Sequence, residues 1–314
     1  MNERSDVTIA ELIARARDAL LAGGVSADEA AGDAELLARH ALQWDLTRLV
    51  LSRGQPPPAE FDAVYDALIA RRLEREPVSQ IVGHREFWGL DFEVTRDVLT
   101  PRPESELIIE AALVSFPRDA RFVIMDVGTG SGCLAIALAK EFPQALLIAS
   151  DVSGAALDIA RRNAARHGVD RRIAFLHTSD LAPENDVDLI VSNPPYIALR
   201  DLERLPIEVR DYEPHVALFG GQDGLDIYRK LLHEARGAIG ADDGGRLIVE
   251  VGYDQGGAVA ALADRAEWEL ERTHRDLQGI ERVLTFRPIV KEASHGRLSF
   301  LQDWQERDSG GHHP

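Results

Sequence analysis

The chain has 314 residues, 45% of them hydrophobic and 28% charged, an ordinary balance for a globular protein with enough length for two domains and a sizeable core. Its single cysteine, Cys133, excludes an internal disulfide framework; no apolar run approaches the roughly 18 residues of a membrane span, and the acid-bearing N-terminus lacks a signal peptide's apolar stretch, so a cytoplasmic location is expected. A net charge of −18 would on average repel a polyanion, so extended nucleic-acid binding is not expected.

The first third reads as a small antiparallel helical bundle. Thr8 and Glu11 have capping-box spacing before an apolar-periodic run that Gly23 and Gly24 end. Ser26 and Glu29 repeat the device ahead of Ala30, Ala34, Leu37 and Ala41. A short apolar piece follows over 46–51, and Phe61, Val64, Tyr65, Leu68 and Ile69 mark a fourth helix with one apolar face. His40 and Trp44 read as packing residues, since nothing here has catalytic spacing. Over 78–94 the pattern turns strand-like, which predicts a hairpin between two domains. The hairpin delivers Pro101-Arg102-Pro103-Glu104-Ser105-Glu106, sound chemistry for opening a helix over 107–116. An Arg locked between two prolines is also a stiff way to present a cation at one side of a pocket.

From Arg121 onward strands and helices alternate, the mark of a doubly wound α/β sheet. Strands are expected over 122–127, 146–150, 173–176, 187–192 and 246–251, with two more near 268–273 and 282–286. Helices are expected over 134–142, after Asp151, over 227–239 and around 259–262. No internal repeat is visible.

The loop after the first of these strands separates cofactor classes. A dinucleotide fingerprint, G-x-G-x-x-G, would follow Gly128 and Gly130 with a glycine at position 133. Cys133 stands there, and the third glycine is Gly132. Asp126 precedes the loop, where it would repel a pyrophosphate but attract an ammonium or a sulfonium. Asp151, at the end of the second strand, has the separation at which an acid grips ribose hydroxyls. S-adenosylmethionine fits all three features and NAD fits one. Cys133 reads as a packed side chain, because no activating His stands beside it.

At the fourth strand's exit stands Asn193-Pro194-Pro195-Tyr196. Two prolines cannot continue a ladder, so the strand stops and the chain leaves in a preset shape. The Asn offers an acceptor and two donors in one plane, suited to an amide or to the exocyclic amine of a base. A proline-rich turn with a capping Asn would explain the four residues alone. In open α/β sheets, however, ligands sit beyond the carboxyl ends of the strands, and Gly128 to Gly132, Asp151, Asp180 and Asn193 all fall on that edge.

The sequence resembles the HemK-type protein-(glutamine-N5) methyltransferases, which act on peptide chain release factors. The resemblance spans about residues 8 to 287. It rests on Arg85-Glu86-Phe87-Trp88, on the Pro101 to Glu106 block, on Asp126 to Gly132, on Ser192 to Ile197, on Glu213-Pro214, on Gly220-x-x-Asp223-Gly224 and on Glu250-x-Gly252-x-x-Gln255. NPPY alone is shared with adenine-N6 DNA and guanine-N2 RNA methyltransferases; the first two segments narrow it to the protein-glutamine branch. The family's Pro-Arg-Pro-Asp-Thr-Glu stands here as Pro-Arg-Pro-Glu-Ser-Glu, a conservative departure.

The resemblance implies a Rossmann-like class I methyltransferase sheet with a small N-terminal helical bundle, joined by a β-hairpin linker. The implied division is a substrate-docking bundle over 1–76, the linker over 77–100 and the S-adenosyl-L-methionine-dependent domain over 101–287; the tail over 288–314 has no counterpart in the family and reads from its own residues as disordered. Asp126, Gly128, Thr129, Gly130, Ser131 and Gly132 would line the methionine part of the cofactor, and Asp151 would take the ribose. Asp180 and Leu181 would border the adenine; Leu181 stands where some relatives carry an aromatic. Asn193, which also borders the cofactor, would hold the substrate glutamine with Pro194, Pro195 and Tyr196. Asn193, Pro194 and Tyr196 would carry the chemistry, with no metal. The implied activity is methylation of the glutamine amide nitrogen in the release factors' Gly-Gly-Gln motif, modulating translation termination. Glutamine methylation of a ribosomal protein, and amino-methylation of a nucleic-acid base, are the alternatives.

Overall fold

A computed structural model of the protein describes residues 7–179, 187–239 and 244–289. Asp180, Leu181 and residues 290–314 of the tail lie outside that set. The described residues divide into two compact units, one made of those within 1–84 and 205–212, the other of those within 85–204 and 213–289.

The first unit holds α1 (Ile9–Ala22), α2 (Ala27–Leu42), α3 (Leu46–Ser52), α4 (Phe61–Leu73) and α5 (Val78–Val82). The capping box at Thr8 forms in full: its hydroxyl accepts from the Glu11 N–H at 3.3 Å and its own N–H donates to the Glu11 carboxylate at 2.8 Å. Ser26 and Asp45 cap α2 and α3. Ala16, Leu20, Ala30, Ala34, Leu37, Phe61, Tyr65 and Ile69 bury the facing stripes in one cluster. Phe61 stacks on Tyr65 at 4.9 Å, and the Tyr65 hydroxyl donates to the Ala34 carbonyl.

One expectation is corrected here. The apolar piece at 46–51 is the helix α3, as the count of four helices requires, whereas the start of the expected hairpin is the helix α5. Val78, Ile81 and Val82 have i, i+3, i+4 spacing, so a helix places all three against the bundle core; that packing overrides their β preference. Gly83, at φ +82°, stops the turn.

The hairpin proper is β1 (His84–Phe87) and β2 (Leu90–Glu93). After α6 (Glu106–Ser115) come β3 (Val123–Val127), α7 (Cys133–Glu141), β4 (Leu146–Asp151), α8 (Gly154–Arg166), β5 (Ile173–His177) and β6 (Leu189–Ser192). The short helix α9 (Ile207–Tyr212) precedes α10 (Asp226–Ala238), β7 (Arg246–Glu250), α11 (Gly256–Arg265), β8 (Trp268–Arg275) and β9 (Glu281–Pro288). The seven-stranded sheet has the order β5-β4-β3-β6-β7-β9-β8. Its first five strands are parallel, and β9 and β8 add antiparallel. β9 runs two residues past the expected end of its strand at 286, and one past the expected domain end at 287, to Pro288 opposite Trp268.

The parallel strands are nearly continuous apolar runs because helices cover both faces. Ile124 of β3 points into a core with Ile108, Ala135 and Leu147, while its neighbours Val123 and Met125 point into a second core with Tyr228, Leu232 and Val259. β4 lies on one side of β3 and β6 on the other, with Asp126 paired to both Ala149 and Val191. This reversal of strand order opens a crevice at the carboxyl ends, between the loops leaving β3 and β6.

α9 belongs to the first unit although its flanking residues, Arg204 and Glu213, belong to the second. Arg72 of α4, 2% exposed, donates to Asp33 at 2.7 Å and to Glu208 of α9 at 3.0 Å. Arg75 also binds Glu208, and the Tyr212 hydroxyl donates to the Glu74 carbonyl. Nothing in the local sequence of 205–212 predicts this placement.

Candidate active site

A cleft of about 200 Å³ lies at the carboxyl edge of the sheet, within the second unit. Gly128, Gly130, Asp151, Asn193, Pro194 and Pro195 are among its walls. Five residues separate Val127 from Cys133, and they divide into two groups by what they face.

Gly128 and Gly130 have φ of +75° and +55°, and a Cβ built on either would enter open space. Only glycine holds this backbone cheaply while leaving the cleft clear. The Gly130 N–H donates to Asp151 Oδ2 at 2.9 Å, and the Ser153 N–H donates to Oδ1 at 2.8 Å. Each carboxylate oxygen is thus fixed by the backbone and keeps a lone pair, which suits a pair of vicinal hydroxyls.

Asp126, Thr129, Ser131 and Gly132 do not line the cleft. Asp126 is fully buried, and its Oδ2 accepts from the Thr129 hydroxyl at 2.6 Å and from the Ala135 N–H at 3.2 Å. The carboxylate therefore pins the loop to the first turn of α7. Burial pushes it up to about 7, the reverse of an exposed charge waiting for a cation. A Cβ on Gly132 would stand 3.1 Å from Ala160 Cβ, so its role is the close approach of α7 to α8. Burial pushes the Cys133 thiol up to about 12, consistent with a packed, unreactive side chain.

Asn163 of α8, buried and without a sequence motif around it, holds this loop from behind. Its Nδ2 donates to the Ser131 and Glu93 carbonyls, and its Oδ1 accepts from the Glu93 N–H. It occupies the apolar stripe of α8 with Ile159, Ala160 and Ala164. That is the signal a reading of the sequence could have used: a buried polar residue must find partners.

The exit from β6 forms the other wall. Ser192 donates to the Val127 carbonyl at 2.7 Å, tying the two strand ends together. Asn193 Nδ2 donates to Ser105 Oγ at 3.0 Å, and Ser105 Oγ donates to Glu250 Oε2 at 2.5 Å. Tyr196 departs from expectation. Its ring packs against the second core, outside the cleft walls, and its carbonyl accepts from the Gln255 side chain at 2.9 Å. Arg102 departs too. It is paired with both oxygens of buried Glu213 at 2.8 and 2.6 Å, and so braces the loop whose next residue, Pro214, lines the cleft. The chain reaches the cleft at Thr178 and Ser179, immediately before Asp180 and Leu181. Among the described residues no cluster of His, Cys, Asp and Glu has the makings of a metal site, and no helix is long and apolar enough to cross a membrane.

The open glycine turn beside a carboxylate held by two N–H groups fits S-adenosylmethionine. Asp151→Ala is expected to weaken its binding by about 10- to 100-fold, from the loss of charged hydrogen bonds. Calorimetry with the cofactor checks this, and unchanged affinity would remove Asp151 from the site.

Two family models match the chain: a PrmC N-terminal domain over residues 11–83 and a methyltransferase small domain over 105–205. A release factor glutamine methyltransferase of Cereibacter sphaeroides is 47% identical over 282 residues, covering 87% of this chain and 98% of its own. One of Geobacter sulfurreducens is 41% identical over 287 residues, covering 90% and 98%. Among solved structures, the hMettl16 catalytic domain in complex with a MAT2A 3′UTR hairpin matches with a TM-score of 0.50 at 14% identity, over 73% of this chain and 84% of that one, a likeness of fold alone. The wide reach of the two relatives, from the helical bundle through the cleft, makes this chain a member of the release factor glutamine methyltransferase family.

Proposed function

We propose that the protein transfers a methyl group from S-adenosyl-L-methionine to the side-chain amide nitrogen, N5, of the glutamine in the Gly-Gly-Gln motif of peptide chain release factors. The observation that carries this reading is the placement of Asn193. It lines the same cleft as Gly130 and Asp151, with its Nδ2 engaged by Ser105 and its Oδ1 left for a ligand.

An amide nitrogen is a poor nucleophile because its lone pair is delocalised into the carbonyl. The protein's task is therefore orientation. Asn193 Oδ1 accepts one N–H of the substrate amide and the Pro194 carbonyl accepts the other. Two acceptors fix the plane of the amide and polarise both N–H bonds as positive charge develops on nitrogen; the N–C bond forms as the methyl–sulfur bond breaks to leave a neutral thioether, and one N–H proton is lost to solvent. Gly128 and Gly130 make room for the cofactor's methionine part and Asp151 holds its ribose, with Asp180 and Leu181 toward the adenine. Asp126, Thr129, Ser131 and Gly132 act through the shape of the loop. Tyr196 acts through the backbone, anchoring the NPPY segment at Gln255. The cofactor supplies a methyl group already activated on a sulfonium, so no metal is required.

Residues 1–76 are proposed to dock the release factor. Leu46, Val50 and Leu51 of α3 are 48%, 50% and 78% exposed, an apolar surface suited to a protein partner rather than to a polyanion. The decisive experiment offers labelled cofactor to intact release factor, to a short Gly-Gly-Gln peptide, to ribosomal proteins and to DNA. Label is expected in the intact factor, with about 10-fold or more lower kcat/KM for the peptide once docking is lost. Label in a ribosomal protein or DNA, and none in the factor, would overturn the reading.

A further inference from the structure

Asn193 has an amide that can be turned either way, and only one orientation presents the oxygen to the cleft. Its partner Ser105 sits where a helix N-cap belongs, at the start of α6, yet its side chain makes no capping bond. The hydroxyl instead reaches the carboxyl end of β7. In the β6–β7 register Ser192 pairs with Val249, so Asn193 and Glu250 are the next residues along the two strands. Ser105 stands between their side chains, 3.0 Å from Asn193 Nδ2 and 2.5 Å from Glu250 Oε2. Ser105 and Glu250 are each 3% exposed, so water does not compete for these bonds.

We propose that Ser105 and Glu250 are positioning residues that lock the Asn193 amide with its oxygen toward the substrate. A serine hydroxyl carries one proton. With Glu250 ionised, that proton is committed to the carboxylate, and Oγ meets Asn193 only as an acceptor. It therefore selects the Nδ2 side of the amide. Once Glu250 takes up a proton, its O–H can donate to Ser105. The serine proton is then released to donate to Asn193 Oδ1, and the flipped amide, with its donors in the cleft, gains a partner. The lock thus holds above the titration of Glu250 and loosens below it.

Charged and titratable groups around Glu250 act in both directions. Burial raises its carboxyl, to about 7, and Glu104 adds to the rise; the Ser105 hydrogen bond, Arg282 and Arg102 oppose it. Tyr196, Tyr228 and Cys133 also lie within its field, and burial holds each of them in its neutral form. Glu250 is therefore the group in contact with Ser105 that is placed to titrate near neutrality; Asp126, also raised to about 7, braces the glycine loop through Thr129 and Ala135 instead.

The inference rests on the glutamine-methylation reading, and two measurements keep the two apart. In the first, the Asn193 side-chain NH₂ signals, assigned by their loss in Asn193→Ala, are followed by ¹⁵N NMR of the full chain between pH 6 and about 8.5, with no substrate present. They are expected to move with a midpoint near 7 in the wild type, and to stop moving in Ser105→Ala and in the isosteric Glu250→Gln. In the second, Ser105→Ala is expected to lower kcat on release factor by about 10- to 100-fold while its affinity for S-adenosylmethionine stays within about twofold. At saturating cofactor the wild-type kcat is expected to fall as pH drops through 7, and that acid limb to shrink in Glu250→Gln, which leaves only Asp126 raised to about 7. Asn193 signals that do not titrate in the wild type, or that still titrate in Ser105→Ala, overturn the relay, as does a Ser105→Ala kcat equal to wild type. A wild type that leaves release factor unlabelled overturns the substrate reading instead, and the NMR titration still decides the relay.

Discussion

Replacing Asn193 with alanine is expected to lower kcat for glutamine methylation by about 10²- to 10³-fold, with cofactor affinity nearly unchanged. The size follows from what is removed. On the proposed mechanism, alanine takes away the acceptor for the substrate amide, and the nitrogen lone pair then has no fixed direction toward the methyl group. The size is also bounded by what stays. The Pro194 carbonyl, the stiff Pro-Pro exit and the Ser192 tie to Val127 hold the backbone in place without the Asn193 side chain. Asp151 and Gly130 bond each other on the opposite wall, so cofactor binding has no reason to follow. Single-turnover methylation of release factor, set beside calorimetry with the cofactor, separates the two quantities. Turnover within a few-fold of wild type would sink the amide-clamp mechanism. A parallel loss of cofactor affinity would reassign Asn193 to holding the cofactor.

The Pro-Pro strand exit and the glycine turn were legible in the sequence because their information is local. Two glycines one residue apart after an apolar strand, or two prolines at a strand's end, restrict the backbone through their own covalent structure. Asp151 was legible because a strand end and a known separation place it. Asp126 shows where local reading stops. Its position before the loop suggested an exposed charge, but the strand's alternation turns it inward to the N-terminus of α7, where burial makes it a brace. Arg102 and Tyr196 lie in motifs too, yet the Arg102 side chain is engaged by Glu213 far along the chain, and the Tyr196 ring packs on the second core. The Ser105–Glu250 bond joins residues 145 apart, and no periodicity encodes such a pair. Helix α5 was legible in principle, since its 78, 81, 82 spacing is helical, but three β-branched residues in five masked it.

Arg72→Met is expected to destabilise the helical unit by about 3–5 kcal/mol, the scale for breaking a buried ion pair by removing one partner. Methionine keeps most of the volume of the arginine stem, so the loss is electrostatic rather than a cavity. The guanidinium serves three acids: Asp33 at 2.7 Å, Glu208 at 3.0 Å and Glu29 at 3.7 Å. Burial already raises the Asp33 carboxyl, and Arg72 is the cation that opposes it. Without Arg72, two poorly exposed carboxylates face each other with only Arg75 beside Glu208. Adding Asp33→Asn to Arg72→Met should recover part of the loss, because it removes the charge left unpaired. Urea unfolding of the full chain measures both variants; an Arg72→Met loss below about 1 kcal/mol would show that the cluster is solvated like an ordinary surface pair. The same variant tests what holds α9. Residues 205–212 leave the sheet unit after Arg204 and return at Glu213, and Glu208 is their charged anchor on the bundle. Limited proteolysis is therefore expected to cut Arg72→Met within 205–212 at protease concentrations that spare the wild type. Cutting confined to other segments would mean that Tyr212, through Glu74 and Gln80, is enough to hold α9 in place.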